Sequence, residues 1–296
     1  MRKLLLFTWV IFFIVPLNAQ TQKENLAIDK FGWDENIPAE VGQKLREAVY
    51  NAFIKTNRFN VIEKKVMEDA LENALAQKEN DTLEVNTFSR YEVLKSLGAD
   101  YIIKGDITGI ITDSKNVTSK QIGGGERTYT QYQVGMQFVI TAINVADSSI
   151  IGTEVIKETG YSEKSYNEAL LDYLKSLDYK VEIFIQRYFP LDILLVEITD
   201  EKRDKAREVL IAAGEKFGIN KGDKFKVVEV SILAGMRREK EIGKVTVLNV
   251  EGENFSNCKV NDGEKEIFQS FEAGKELICI SLEDSGAKKL IKELGF

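Results

Sequence analysis

The stretch at residues 101–111, YIIKGDITGII, decides the fold of the first half of the chain. Apolar residues and glycines occupy its odd positions from Tyr101 to Ile111, whereas Lys104 and Asp106 occupy even ones. This period of two predicts a strand with one buried face, which would include Gly109 and Ile111. Residues 134–145 repeat the pattern, and 150–159 follow after a polar turn, which predicts a sheet of at least three strands.

Helical patterns flank these strands. Pro38 is typical of a helix start, and apolar residues then recur every three or four positions between Val41 and Phe53. The further elements predicted before residue 189 are strands at 26–33 and 58–63, and helices at 67–75, 91–97 and 162–188. Residues 21–189 are therefore predicted to form a mixed β-sheet with flanking helices.

Phe189-Pro190 marks a change of pattern, because short strands separated by Gly, Asn and Asp turns follow it. The predicted strands are 191–198, 207–213, 224–232, 242–250, 255–261 and 276–282. Such spacing favours a small all-β barrel over residues 190–283, followed by a C-terminal helical tail at 284–296. The whole chain is thus predicted to be α+β.

The first twenty residues have the three parts of a signal peptide: Arg2 and Lys3, an apolar run at 4–15, and Ala19 before the cleavage point. A membrane anchor is the rival interpretation, but a spanning helix needs roughly 20 apolar residues. We expect a mature protein that begins near Gln20 or Thr21. Because no Cys follows the apolar run, we expect no lipid anchor, and a periplasmic location peripheral to the outer membrane.

Composition limits the chemistry. The 296 residues carry a formal net charge of −7 without a basic block, which disfavours nucleic acid and anionic lipid as partners. The chain contains no His, the commonest general base and metal ligand. Acidic pairs such as Glu201 with Asp204 and Glu239 with Glu241 are expected on solvated surfaces. We therefore predict no catalytic residue, no metal site and no cofactor.

The segment 112–131 is polar and contains the triple glycine 123–125. It lacks the Lys-Ser/Thr pair of a phosphate-binding loop, so we predict a soluble, mobile hairpin whose tip at Gly123–Gly125 has positive φ and little internal order. Its residues proposed for partner contacts are Lys115, Lys120, Ile122, Gly124, Arg127 and Tyr129.

Cys258 and Cys279 are the two cysteines of the chain, and both lie in predicted strands of the second half. An oxidising compartment permits a disulfide between them. Free Cys also packs as a small apolar residue, so two buried thiols are the alternative.

Three segments resemble the curli-secretion channel (CsgG-like) family in order and spacing. They are NAFIKTNRFNVIEKKVMEDAL at 51–71, LKSLGADYIIKGDITGI at 94–110 and YQVGMQFVITAINVADSSIIGTEV at 132–155. The resemblance implies an envelope protein that assembles in rings and serves export, with no catalytic residues. The segment at 191–282 more weakly resembles the C-terminal barrel of flagellar assembly protein T.

Two departures from the channel family bear on function. Its members are commonly lipoproteins, and its channels insert two hairpins into the outer membrane. The segment 112–131 is charged throughout, and a lipid-facing strand needs an apolar outward face. The sequence therefore predicts a non-enzymatic assembly or adaptor protein that contacts itself, as a homo-oligomer, and other envelope assembly components. The alternatives are a secretion-pore subunit and a carboxylate-dependent hydrolase.

Overall fold

The computed structural model describes residues 23–79, 87–121 and 123–282. The signal peptide predicted at 1–20 and the helical tail predicted at 284–296 lie outside these residues. The first part of the chain contains β1 (Asn25–Trp33), α1 (Ala39–Lys55), β2 (Asn60–Val61), α2 (Lys64–Glu79), α3 (Thr87–Ser96), β3 (Tyr101–Lys120), β4 (Glu126–Asn144), β5 (Ile150–Ser162) and α4 (Tyr166–Tyr188).

These strands form one mixed sheet in the order β2-β1-β3-β4-β5. β1 pairs in parallel with β2 and β3, and β3, β4 and β5 form an antiparallel meander. The inner face packs against α1 and α4. The predicted apolar face of β4 is confirmed, because its alternate residues from Val134 to Ala142 are buried in that core. The shorter helices α2 and α3 cover part of the outer face around Ile102 and Val145.

Helix α4 lies very close to the edge strand β5. Ser165 caps the helix by accepting a hydrogen bond from the Glu168 backbone N–H at 3.2 Å. Two glycines of β5 permit the close approach: a Cβ on Gly152 would lie 2.1 Å from the Tyr188 ring, and one on Gly160 would lie 2.1 Å from the Ala169 carbonyl. The helix therefore packs on strand backbone at both ends of β5.

A bulge in β1 receives a side chain from α1. The register shifts between Ile28 and Phe31, which leaves two β1 carbonyls outside the regular ladder. Arg46 donates from Nη2 to the Ile28 carbonyl at 2.9 Å and from Nε to the Asp29 carbonyl at 3.0 Å. These charge-assisted bonds fix α1 against the sheet.

A second bulge corrects the sequence prediction for β3. Ile107 lies opposite Phe138, but Gly109 lies opposite Gln137, so Thr108 is extra. The extra residue reverses the faces beyond it: Ile110 packs against the inner core, and Ile111 is 68% exposed on the outer face. The prediction that Ile111 shares the buried face of Ile107 is wrong.

The second part of the chain is a closed barrel in the strand order β10-β7-β6-β11-β8-β9. Its elements are β6 (Asp192–Glu201), β7 (Ala206–Ile211), a 3-10 turn (Glu215–Phe217), β8 (Lys224–Leu233), β9 (Met236–Glu251), β10 (Phe255–Asp262), α5 (Glu264–Glu272) and β11 (Glu276–Ser281). All six predicted strands are present. Helix α5, which the sequence analysis did not identify, buries Ile267 in the barrel core.

The α+β architecture, a mixed sheet with helices and a separate six-stranded barrel, is confirmed. We propose the boundary between the two domains at 189/190, with the first beginning near residue 21 and the second ending near 283. Phe189 belongs to the core of the first part and Leu191 to the core of the second, which supports this division. Within the described ranges, no helix has the length and apolar character that a membrane span requires.

Candidate functional site

The β3–β4 hairpin extends far beyond the sheet. Its rungs continue without a gap from Thr112 opposite Val134 to Lys120 opposite Glu126. β5 accompanies β4 only as far as Tyr132. The free ribbon beyond β5 is formed by residues 115–131 and has six rungs. At about 3.4 Å per residue, it is about 20 Å long. Among the described residues, no third strand pairs with it, so both of its edges are open to solvent or to a partner.

Cross-strand contacts order this ribbon. Thr118 and Thr128 share a hydrogen bond of 3.0 Å between their hydroxyl oxygens. Arg127 donates to a Glu163 carboxylate oxygen at 2.6 Å, and its guanidinium lies 5.2 Å from the centre of the Tyr129 ring. A regular ladder therefore joins the two strands of the predicted hairpin as far as Lys120 and Glu126, and the three glycines of the tip have the predicted positive φ.

The register decides which of the proposed contact residues share a face. Lys115, Arg127 and Tyr129 lie on one face of the ribbon with Val117, which is directly opposite Tyr129. Lys120 points to the other face, and Gly124 lies at the tip with a φ of 85°. Ile122 lies outside the described residues. The structure thus brings three of the six proposed residues together.

That face continues the outer face of the sheet. Ile111, Val155 and Tyr161 are exposed by 68, 56 and 47%, and the strand register places them on the same side as Val117 and Tyr129. We call these five residues the outer strip. Apolar side chains grouped on a sheet face and left in water are typical of a protein-binding surface. The sequence analysis missed Ile111 because the bulge at Thr108 is not visible as a pattern.

A cavity of about 500 Å³ lies where the helices α1 and α4 meet the barrel. Asn57 donates from Nδ2 to the Glu215 carbonyl at 2.8 Å, and Arg58 donates from Nη2 to the Phe189 carbonyl at 2.7 Å. Burial lowers the pKa of Arg58 to about 10, and Asp223 and Glu182 oppose that shift. Arg58 remains a cation at neutral pH, so this polar seam joins the two parts of the chain.

Cys258 and Cys279 are fully buried free thiols in the barrel core. Burial raises the pKa of Cys258 to about 12. Burial, with a smaller contribution from Cys258, raises the pKa of Cys279 well above its ordinary value. The thiolate needed for thiol–disulfide exchange is therefore disfavoured in the folded barrel. Of the two alternatives that the sequence leaves open, we therefore expect two buried thiols rather than a disulfide.

The structure gives the acidic pairs ordinary partners or exposure. Glu239 pairs with Arg237 at 3.0 Å and Glu241 with Lys244 at 3.7 Å, and Glu201 and Asp204 are exposed. Throughout the described part of the chain, no group of three or more Asp, Glu or Cys side chains is arranged to hold a metal ion.

Residues 35–141 match the model of the peptidoglycan-synthase activator LpoB family. The matched segment runs from just before α1 to the end of β4, and it includes the whole β3–β4 hairpin. The protein that names this family is a regulator rather than an enzyme, and this match confirms the expectation of a non-enzymatic protein. The search of curated proteins finds no match.

Several solved structures share low similarity with the chain. A hypothetical protein from Chlamydia trachomatis is 12% identical over 56% of this chain and 98% of its own, with a TM-score of 0.35. A lipoprotein from Neisseria meningitidis is 11% identical over 54% of this chain and 98% of its own, with a TM-score of 0.33. The LpoB C-terminal domain from Salmonella enterica is 13% identical over 48% of this chain and 88% of its own, with a TM-score of 0.27. Scores this low carry no functional inference.

The family match corrects the resemblance drawn from the sequence. Residues 35–141 match the synthase-activator family, so the assignment to the curli-secretion channel family is wrong, together with its curli and secretion functions. The weaker likeness of the barrel to flagellar assembly protein T is withdrawn with it. The three quoted segments contain the apolar patterns by which strands and helices pack together, and proteins with unrelated functions can have the same packing.

Proposed function

We propose that this chain is a non-enzymatic protein of the bacterial envelope that binds a peptidoglycan synthase and raises its activity. The observation that carries the proposal is the match of residues 35–141 to the peptidoglycan-synthase activator family. The N-terminal pattern at 1–20 agrees with it, because a signal peptide would deliver the chain to the compartment where peptidoglycan is made.

The exposed surfaces of the matched segment indicate where a synthase would bind. Helices α1 and α4 occupy the inner face of the sheet, and α2 and α3 occupy one end of the outer face. The outer strip and the ribbon remain uncovered by any described element. The ribbon adds Arg127 beside Val117 and Tyr129, and arginine and tyrosine are both enriched at protein interfaces.

The test is a reconstitution with the purified peptidoglycan synthases of the source organism. Polymerisation of lipid II and cross-linking of the product are measured with and without this protein. We expect at least one synthase to bind it directly and to polymerise glycan faster in its presence. If every synthase of the organism neither binds it nor changes rate, the proposed function is wrong.

Two variants locate the surface on the ribbon. Val117→Ser with Tyr129→Ala removes the apolar pair from the outer face, and we expect about tenfold weaker binding. Lys120→Ala with Glu126→Ala removes an opposed pair from the other face, and it serves as the matched control. Equal losses in both variants would contradict the assignment of the surface while leaving the activator role intact.

Self-association is a separate part of the proposal. A homo-oligomer could use the open edges of the ribbon, because each strand there lacks a second neighbour among the described residues. Analytical ultracentrifugation of the purified chain measures this directly. A monomer across the accessible concentration range would remove the oligomer from the proposal.

A further inference from the structure

The β8–β9 hairpin ends in an exposed apolar tip. β8 ends at Leu233 and β9 begins at Met236, and the two residues between them, Ala234 and Gly235, have positive φ values of 52 and 79°. This is the geometry of a tight two-residue hairpin turn. Ile232, Leu233 and Met236 are exposed by 70, 60 and 70%. The described barrel therefore leaves three large apolar side chains in water within five consecutive positions.

The tip projects beyond the barrel wall. β11 follows β8 only as far as Val230, which lies opposite Glu276, so the segment 231–238 has no third strand beside it among the described residues. Inside the barrel, apolar side chains of β8 such as Phe225 and Val227 point into the core. The apolar residues at the tip cannot reach that core.

Both faces of the tip carry apolar side chains, and two arginines lie beside or behind them. Ile232 lies opposite Arg237 on one face. Leu233 lies opposite Met236 on the other face, with Arg238 and Ser231 forming the next rung behind them. The segment 231–238 contains two arginines and no acidic residue.

We infer that this tip inserts into the interface of a bilayer that contains anionic phospholipid. A convex tip with apolar groups on both faces cannot bury both against one flat protein surface, whereas a fluid bilayer surrounds it. Arg237 lies beside Ile232, and Arg238 lies one rung behind Leu233 and Met236 on their face. That arrangement suits insertion to about 5–10 Å, with the arginines at the level of the phosphate headgroups.

The charge of the tip differs from that of the whole chain. The net charge of −7 disfavours anionic lipid as a general partner, but electrostatic attraction falls off within about 8 Å at physiological salt. Arg237 is partly neutralised by Asp192 at 3.4 Å and Glu239 at 3.0 Å. Arg238 is exposed and makes no ion pair with a described residue, so it supplies most of the attraction.

Vesicle flotation tests the inference with the chain that lacks residues 1–20. Vesicles of phosphatidylcholine alone are compared with vesicles that also contain phosphatidylglycerol. We expect binding to the anionic vesicles, with a loss of about tenfold in Ile232→Ser/Leu233→Ser/Met236→Ser. Arg238→Gln should abolish most of the preference for phosphatidylglycerol while leaving the residual binding to phosphatidylcholine unchanged.

The matched control removes exposed apolar groups elsewhere. Ile150→Ser with Leu171→Ser changes residues that are 66 and 51% exposed on the first part of the chain and lie outside the outer strip, and vesicle binding should be unaffected. All of the substituted side chains are exposed, and circular dichroism checks that each variant is folded.

Three outcomes would overturn the inference. The first is no binding of the unaltered chain to either vesicle. The second is binding that the tip variant retains. The third is a tip variant that loses self-association in ultracentrifugation without any effect on vesicles, which would make a second copy of the chain the occupant. Since the tip lies outside residues 35–141, each result is independent of the synthase proposal.

Discussion

Removal of the free ribbon should leave the first part of the chain folded. The change deletes residues 116–130 and joins Lys115 to Gln131 through Asn-Gly. Lys115 and Gln131 lie directly opposite each other, and Asn-Gly is the favoured sequence for a two-residue hairpin turn. Tyr132, which packs on Tyr166 with ring centres 5.0 Å apart, is retained.

The expected energetic cost is small because the deleted residues contact little outside the ribbon. The Arg127–Glu163 ion pair is lost, and its side chains are exposed by 54 and 43%. An exposed pair contributes about 0–1 kcal/mol to stability. The inner residues of β4 from Val134 onward keep all their contacts. We therefore expect the free energy of unfolding to change by no more than about 1 kcal/mol.

Urea denaturation followed by tryptophan fluorescence measures this change. After removal of residues 1–20, Trp33 is the one tryptophan of the chain, and it packs against the core beneath α1. The fluorescence therefore reports the part of the protein that carries the ribbon. With a slope of about 1–3 kcal/mol per molar urea, the midpoint should shift by less than about 1 M. A loss of more than about 3 kcal/mol would refute the reasoning, because it would make the ribbon part of the folding core.

Three further outcomes follow from the packing. Gly160→Ala should destabilise the protein by about 1–3 kcal/mol in thermal unfolding, because a Cβ there would collide with the α4 backbone. Gly109→Ala is the control, since a Cβ at that position meets open space and should not collide with any neighbour. Arg46→Met should cost about 2–4 kcal/mol in urea denaturation, since two β1 carbonyls lose charged donors; an unchanged midpoint would contradict this. The pKa of the Cys258 thiol is near 9 in the unfolded chain and about 12 in the barrel, so the unfolded state loses this proton first as the pH rises. The free energy of unfolding should therefore fall between pH 9 and 12, by up to about 1.4 kcal/mol per pH unit. Cys258→Ala should reduce that fall without removing it, because the buried Cys279 thiol also has a raised pKa. Peptide mapping without reductant should find Cys258 and Cys279 unlinked; a linked pair would remove both thiol contributions instead.

The sequence predicts most of the secondary structure because burial on one face leaves a periodic pattern. Residues 134–142 place an apolar side chain at every even position, and the structure buries that predicted face throughout. Periodicity assigns the wrong faces beyond Thr108. The extra residue of a bulge leaves no mark in the apolar–polar pattern, but it turns every later side chain of the strand to the opposite face. Periodicity also failed for α5, where Glu264–Glu272 is short and its apolar side chains are few.

The candidate surfaces were harder to predict than the fold. The ribbon is rich in Thr, Ser and Gln, and these polar residues gave no alternation from which to infer a continuous ladder. The predicted strand 224–232 includes only Ile232 of the apolar tip, and Leu233 and Met236 fall in the connection before the next predicted strand at 242–250. An apolar residue in a strand is ordinarily assigned to a core, and only the register shows that this strand extends past its neighbour. The exposure of both surfaces therefore depends on which strands pair and where each pairing ends, and neither can be deduced from the sequence pattern alone.

The linker between the two parts of the chain relates these surfaces to each other. Phe189 packs against Phe59 and Tyr101 with ring centres 5.1 and 5.0 Å apart, so it is fixed in the first core. Leu191, two residues later, is buried in the barrel core and donates its N–H to the Ser281 hydroxyl at 2.9 Å. Pro190 between them has a restricted φ. Because the connection has almost no slack, a barrel tip that binds a bilayer would also hold the outer strip in a defined orientation above it. A partner held on the same membrane would then meet that surface at a fixed height rather than by free diffusion, which raises its effective concentration.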